Sequence, residues 1–186
     1  QELLTREFVG PGRLNSVCFL NGGLFPETHR PVRLQKLLMS PIGFLVGRRY
    51  QRENMAQTFG RIFGPQTQPS QQEMDGFWRM MEFNQGPKVM HLLIRYIAER
   101  KVQRDRWVDA MQRTEVPMRV IDGAVDPVSG AHMVARYREL IPQADTVLLD
   151  NIGHYPQVEA PDQVLEHYLD FRSVCASSEH SLAVEC

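Results

Sequence analysis

Apolar positions at residues 14–20, 117–121 and 145–149 fall in short runs, each closed by turn-forming residues: Asn21 and Gly22, Asp122 and Gly123, Asp150 and Asn151. Runs of this length with such endings predict β-strands. Between the second and third runs, residues 131–140 set Val134, Tyr137 and Leu140 on one side at helical spacing, with Ile141 beyond. Strand, helix and strand in that order predict a right-handed crossover joining parallel neighbours. The helical period returns at residues 161–171, with Pro161 in the first turn and Val164, Leu165, Tyr168, Leu169 and Phe171 apolar. Residues 1–8 have the same period and read as the end of a helix, stopped by the GPG at 10–12.

No strand pattern occurs from residue 31 to residue 113. Helical candidates stand there instead, at 34–46, 71–83 and 89–111, separated by Pro65, Pro69 and the pair Gly86 and Pro87. An all-helical insertion between strands of a parallel sheet predicts a lid over the carboxyl ends of the strands, where open α/β sheets bind ligands. The expected organisation is therefore a core strand with a helix end at 1–30, a lid at 31–113 and the remaining core at 114–173. A disordered tail is expected at 174–186.

Composition narrows the partner more than the fold. The 186 residues suffice for one domain carrying an insertion, and 42% hydrophobic with 23% charged residues is ordinary for a globular chain. A net charge of −1 gives no reason to expect nucleic acid. The basic residues between Arg95 and Arg106 are interleaved with Glu99 and Asp105, as on a solvated helix face. A small molecule is the expected partner. Cys18, Cys175 and Cys186 have neither disulfide-framework nor zinc-knuckle spacing, which favours a reducing, cytoplasmic setting, and Cys18 reads as a small buried hydrophobe. His29 has no second ligand at metal-binding spacing, so no metal is expected. The apolar stretch at 34–47 is broken by Gln35, Lys36, Ser40 and Pro41 and is too short to cross a membrane, although it could rest on one. No secretory leader and no initiator methionine are present, so the sequence reads as the later part of a longer chain.

Two loops at the carboxyl ends of predicted strands carry suitable chemistry. The first is DGAVDP at 122–127 and the second NIGH at 151–154. One crossover joins their strands, so Asp126 and His154 are expected on the same edge of adjacent strands. A carboxylate there would accept the Nδ1–H of the imidazole and leave Nε2 free as a base. Taken singly, Asp126 also reads as a turn residue before Pro127, and His154 as a capping or packing histidine. Together, with the acid preceding the histidine, they predict two members of a nucleophile–histidine–acid relay.

VIDGAVDP at 120–127 followed by GHYPQVEAP at 153–161 resembles the acid and histidine loops of α/β-hydrolases, the haloalkane dehalogenase and epoxide hydrolase branch in particular. LNGGLFPETHRP at 20–31, with LQKLL at 34–38, FGP at 63–65 and the helix at 96–107, is similar to the mesoderm-specific transcript family. The resemblance implies the later strands of an α/β-hydrolase fold with a helical lid, Asp126 as relay acid and His154 as base. It implies hydrolysis of a small, largely apolar ester, epoxide or haloalkane without a cofactor. The nucleophile, an Asp or Ser on a strand-to-helix elbow, would precede Gln1; the sequence contains no Gly-x-Ser-x-Gly. Asn21 corresponds to a halide-contacting or acid position of the dehalogenases and is a candidate substrate contact, or else a turn residue before Gly22. Tyr96, with Tyr50 second, is a candidate for the lid tyrosines of epoxide hydrolases, although its helical spacing suits the interior of the lid better. The rival to an enzyme is a non-catalytic relative that keeps the fold and binds a ligand or partner.

Overall fold

The computed structural model describes residues 1–10, 12 and 14–184, of which 178–184 are described as helix backbone alone. Pro11, within the predicted stop after the first helix, and Cys186 lie outside the described residues. Among the described residues the sheet has three parallel strands in the order β1 (Val17–Leu20), β2 (Met118–Gly123), β3 (Asp145–Leu149). Leu20 pairs with Ile121, and Gly123 with Leu149, so the carboxyl ends of all three strands open on one edge. The first strand is shorter than the apolar run predicts. The side of β1 away from β2 has no strand partner among the described residues.

Helix α1 (Glu2–Glu7) precedes β1 and packs on α8 (Arg104–Arg113), burying Leu4 beside Val108 and Met111. Helix α9 (Ala131–Leu140) makes the crossover and buries Met133, Val134 and Tyr137 against the sheet. The last helix, α11 (Pro161–Val184), continues past residue 173, where a disordered tail was expected. Burial of Phe171 and Cys175 and the bond from Arg172 Nη1 to Ser16 Oγ, 2.6 Å, fasten its middle to the sheet.

The segment between β1 and β2 is all-helical, as its sequence predicts, but more finely divided. The stretch at 34–46 is two helices, α2 (Arg33–Leu38) and α3 (Gly43–Arg48), because Pro41 cannot continue the first. Helix α4 (Arg52–Ile62) is absent from the sequence prediction. Its apolar face is only Met55, Phe59 and Ile62, one per turn. Helix α5 (Gln71–Glu82) starts at a capping box in which Ser70 and Glu73 satisfy each other's free N–H groups. The stretch at 89–111 is three helices, α6 (Gly86–Leu93), α7 (Tyr96–Val102) and α8. No helix among the described residues is long and apolar enough to cross a membrane.

Candidate functional site

The site forms where the loops after β1, β2 and β3 meet. Asp126 is buried in the loop after β2, and its Oδ2 lies 2.8 Å from Nδ1 of His154 in the loop after β3. The rest of the acid is enclosed by donors: the N–H of Val128 to Oδ1 at 2.8 Å, and the N–H of Ser129 and the Nδ2 of Asn21 to Oδ2 at 3.0 and 2.8 Å. Burial alone would push this carboxyl up, but the hydrogen bond and charge of His154 and the backbone donor outweigh it and hold Asp126 below the ordinary aspartate value. An ionised Asp126 accepts from Nδ1, so the imidazole proton sits there and Nε2 carries a lone pair. No group among the described residues is hydrogen-bonded to Nε2, and the His154 side chain is a quarter exposed.

The two loops are forced together by backbone as well as side chains. The N–H of Val125 donates to Ile152 O at 3.1 Å and that of Ala124 to Leu149 O at 3.0 Å. Gly123 makes this possible, since a Cβ there would lie 2.0 Å from the carbonyl oxygen of Gly153. Asn151, with φ 61°, turns the chain after β3 toward His154.

The helical segment forms the next wall. The N–H of His154 donates to Ile62 O at 2.8 Å, joining its loop to the end of α4. Tyr155 inserts among Phe59, Phe63 and Phe77, with ring centroids 5.4, 5.3 and 6.4 Å away. Its ring also meets His154 edge-on at 5.1 Å. Helix α10 (Pro156–Glu159), too short to be visible in the sequence pattern, carries Glu159. That carboxylate accepts from the N–H of Gly64 (2.7 Å), the hydroxyl of Thr67 (2.6 Å), and the N–H groups of Gly153 (2.8 Å) and Tyr155 (2.9 Å). One side chain thus fastens the histidine loop to the helices.

Asn21 lies in this cluster, but in a different capacity from the substrate contact expected of it. It is buried and both hydrogens of its amide are engaged, by Asp126 and by Gly153 O at 3.1 Å. Tyr96 is not bonded to the pair. It heads α7, 44% exposed, with the guanidinium of Arg100 over its ring at 4.8 Å, so it is not in the interior of the helical segment either. Tyr50 is buried against Trp78. His29 lies beside Arg100 in a small cavity of about 150 Å³, and burial, then the arginine charge, lower its affinity for a proton. Two larger grooves lie on the helical segment, one of about 460 Å³ lined by Leu34, Leu37, Ile42 and Leu45 and one of about 540 Å³ beside Phe44 and His91, and a third of about 510 Å³ lies between Met118, Tyr137 and Phe171; none of the three includes Asp126 or His154.

Sequence reasoning missed Asp122 and Glu159. Asp122 reads as a strand-ending turn residue, yet it is inside β2 and wholly buried. Its Oδ1 accepts from the N–H of Asn21 at 2.7 Å, and its Oδ2 has no hydrogen-bond partner among the described residues. Burial pushes its pKa up to about 8 against the pull of that N–H, and the negative charge of Asp126 adds to the rise.

Parallel strands carrying an acid loop and a histidine loop, with an all-helical segment between the first two strands, are the later part of an α/β-hydrolase fold. Solved structures of that fold bear this out. A haloalkane dehalogenase variant from Bradyrhizobium elkanii superposes with a TM-score of 0.66 at 16% identity, over 98% of this chain and 66% of the other. A thermophilic esterase from Thermogutta terrifontis gives 0.62 at 21%, over 88% and 57%. The chain has the α/β-hydrolase fold, and its homologues include the mesoderm-specific transcript protein. The mouse protein is 38% identical over 181 residues, 92% of this chain and 53% of the relative. The LipZ protein of Mycobacterium tuberculosis is 37% identical over 167 residues, 89% of this chain and 58% of LipZ. The chain therefore spans little more than half the length of these relatives. No protein-family model matches it.

Proposed function

We propose that this chain supplies the acid and the base of a hydrolase, Asp126 and His154, to a nucleophile carried by another part of the intact protein. The observation that carries this reading is the 2.8 Å contact between Asp126 Oδ2 and His154 Nδ1, made by a buried acid and a partly exposed imidazole whose Nε2 is bonded to no group among the described residues. Nε2 is then the atom that takes a proton from a serine nucleophile or from the water that discharges an ester on an aspartate nucleophile. The edge of β1, which has no strand partner among the described residues, is the natural place for the strand leading to that nucleophile, because parallel sheets are normally covered.

The substrate class is a small, largely apolar ester, epoxide or haloalkane, with residues 31–113 acting as the lid. The aromatic wall of Phe59, Phe63, Phe77 and Tyr155 beside His154 supports an apolar acyl or alkyl group, and the names of the dehalogenase and esterase with the same fold suggest these chemistries. The test is turnover by the intact protein of a panel of p-nitrophenyl esters, aryl epoxides and haloalkanes. Hydrolysis of one class, abolished by His154→Ala, is expected. Undiminished turnover in His154→Ala overturns the relay, and a wild-type protein that binds these compounds without turning over any of them identifies a non-catalytic binder instead.

A further inference from the structure

Asn21 uses every polar group it has within this one cluster. Its Nδ2 bridges the acid loop and the histidine loop, donating to Asp126 Oδ2 at 2.8 Å and to Gly153 O at 3.1 Å. Its Oδ1 accepts from the N–H of Gly123 at 2.6 Å, where the acid loop begins. Its backbone N–H donates to Asp122 Oδ1 at 2.7 Å, and its carbonyl lies 3.0 Å from the hydroxyl of Ser129. That hydroxyl is equally close to Asp126 Oδ2, so its single proton serves one acceptor or the other. The backbone of Asn21 is left-handed, with φ 41°, a conformation that costs a side-chain-bearing residue free energy and persists only when its surroundings enforce it. A turn residue needs the backbone angle alone, and glycine supplies that without strain. An amide with both hydrogens and its oxygen committed to two different loops is doing something else.

We propose that Asn21 is a positioning residue: it holds Asp126 on the line to His154 Nδ1 and sets the distance between the acid and histidine loops. The role rests on the relay reading of Asp126 and His154. Asparagine is suited to it where aspartate is not, because the amide donates to a carboxylate and a carbonyl and brings no further negative charge beside Asp122 and Asp126. Asp122, kept neutral by its burial, fits the same requirement.

The experiment compares Asn21→Gly and Asn21→Asp with wild type in the intact protein. Two readouts are used: steady-state kinetics, and the downfield proton resonance of His154 Nδ1–H, assigned by its absence in His154→Ala. Glycine keeps the left-handed turn and removes the amide. The expected result is a folded protein whose kcat falls roughly tenfold to a hundredfold, the range for residues that orient a reactive group, with KM within about twofold. The Nδ1–H resonance should move upfield or vanish. Asn21→Asp keeps the shape and opposes oxygen to oxygen, so it should lose activity at neutral pH and recover part of it on the acid side, where a protonated carboxyl can donate to Asp126. The ionisable groups facing it are Asp122 on β2, Asp126 in the acid loop and His154, with His29 farther out. Wild-type kcat and an unmoved resonance in Asn21→Gly overturn the proposal; if that variant fails to fold, a flat pH response in Asn21→Asp does so. Should wild type turn nothing over, the hydrolase reading fails while the resonance still decides the position of Asn21.

Discussion

Asp126 Oδ2 and His154 Nδ1 are 2.8 Å apart although 28 positions separate the residues in sequence. The contact follows from topology: β2 and β3 are parallel neighbours joined by one crossover, so their exit loops meet on one edge. Asp126 accepts hydrogen bonds from the loops after all three strands. This contact favours one tautomer of the imidazole, and in the proposed relay it would leave little to reorganise.

Asp122 makes stability depend on pH in a direction opposite to Asp126. Its proton is held to about pH 8 in the folded chain, against an ordinary value of 3.8. Between those values the unfolded chain releases the proton and the folded chain keeps it, so this group lowers stability as pH rises through the window. Asp126, whose value is depressed, contributes stability that is lost only as pH falls through the acid range. Replacing Asp122 by Asn removes the first effect. Thermal unfolding at pH 5 and pH 8 should show the variant gaining on the parent at the higher pH, by an amount on the order of a few kcal/mol. Parallel behaviour of the two proteins would contradict a neutral Asp122.

Close backbone approach at Gly123 predicts a large effect from one methyl group. A Cβ at Gly123 meets the carbonyl oxygens of Gly153 and Ile152 at 2.0 and 2.4 Å, and neither can move without shifting the histidine loop. Gly123→Ala should therefore lower stability by about 1–3 kcal/mol and disturb the Asp126–His154 contact. Gly76, in α5, has nothing within 4 Å of its Cβ position, and Gly76→Ala should stabilise by roughly 0.5–1 kcal/mol. Denaturant titration of the two variants checks the contrast, and equal effects would refute it.

Glu159 predicts a change in local opening. Its four donors come from the turn after α4 and from the histidine loop. Glutamine in its place can turn its oxygen to Gly64, Thr67 and Gly153, but its NH₂ then faces the N–H of Tyr155. A loss on the order of 1–3 kcal/mol is expected, with faster hydrogen exchange first at Tyr155, whose acceptor is lost, and then at Gly153 and Gly64 as the latch loosens. Exchange rates unchanged by Glu159→Gln would show that the latch does not hold.

The sequence carried the parallel sheet, the crossover and the acid–histidine juxtaposition because strand endings and helical period are local signals, and topology does the rest. Helix α4 leaves a weak signal: Met55, Phe59 and Ile62 recur at helical spacing, but mostly polar residues fill the positions between them. The break between α2 and α3 falls at Ser40 and Pro41, where proline ends the helical pattern. The hydrogen bonds of Asn21 and Glu159 were not legible in the sequence. Asn21 meets Asp126 across 105 positions and Glu159 meets Gly64 across 95, and no local pattern records such pairings. Nor could Asp122 be recognised as buried, because the turn chemistry of Asp before Gly hides its place inside β2.

The most direct measurement of the central claim is the turnover of Asp126→Asn in the intact protein. An amide at this position donates to Nδ1 instead of accepting from it, which drives the imidazole proton to Nε2 and removes the base. A fall in kcat on the order of 10⁴ is expected, as in other relays whose acid is made an amide, with the fold retained. Turnover within a few-fold of wild type would contradict the pairing of Asp126 and His154 as acid and base.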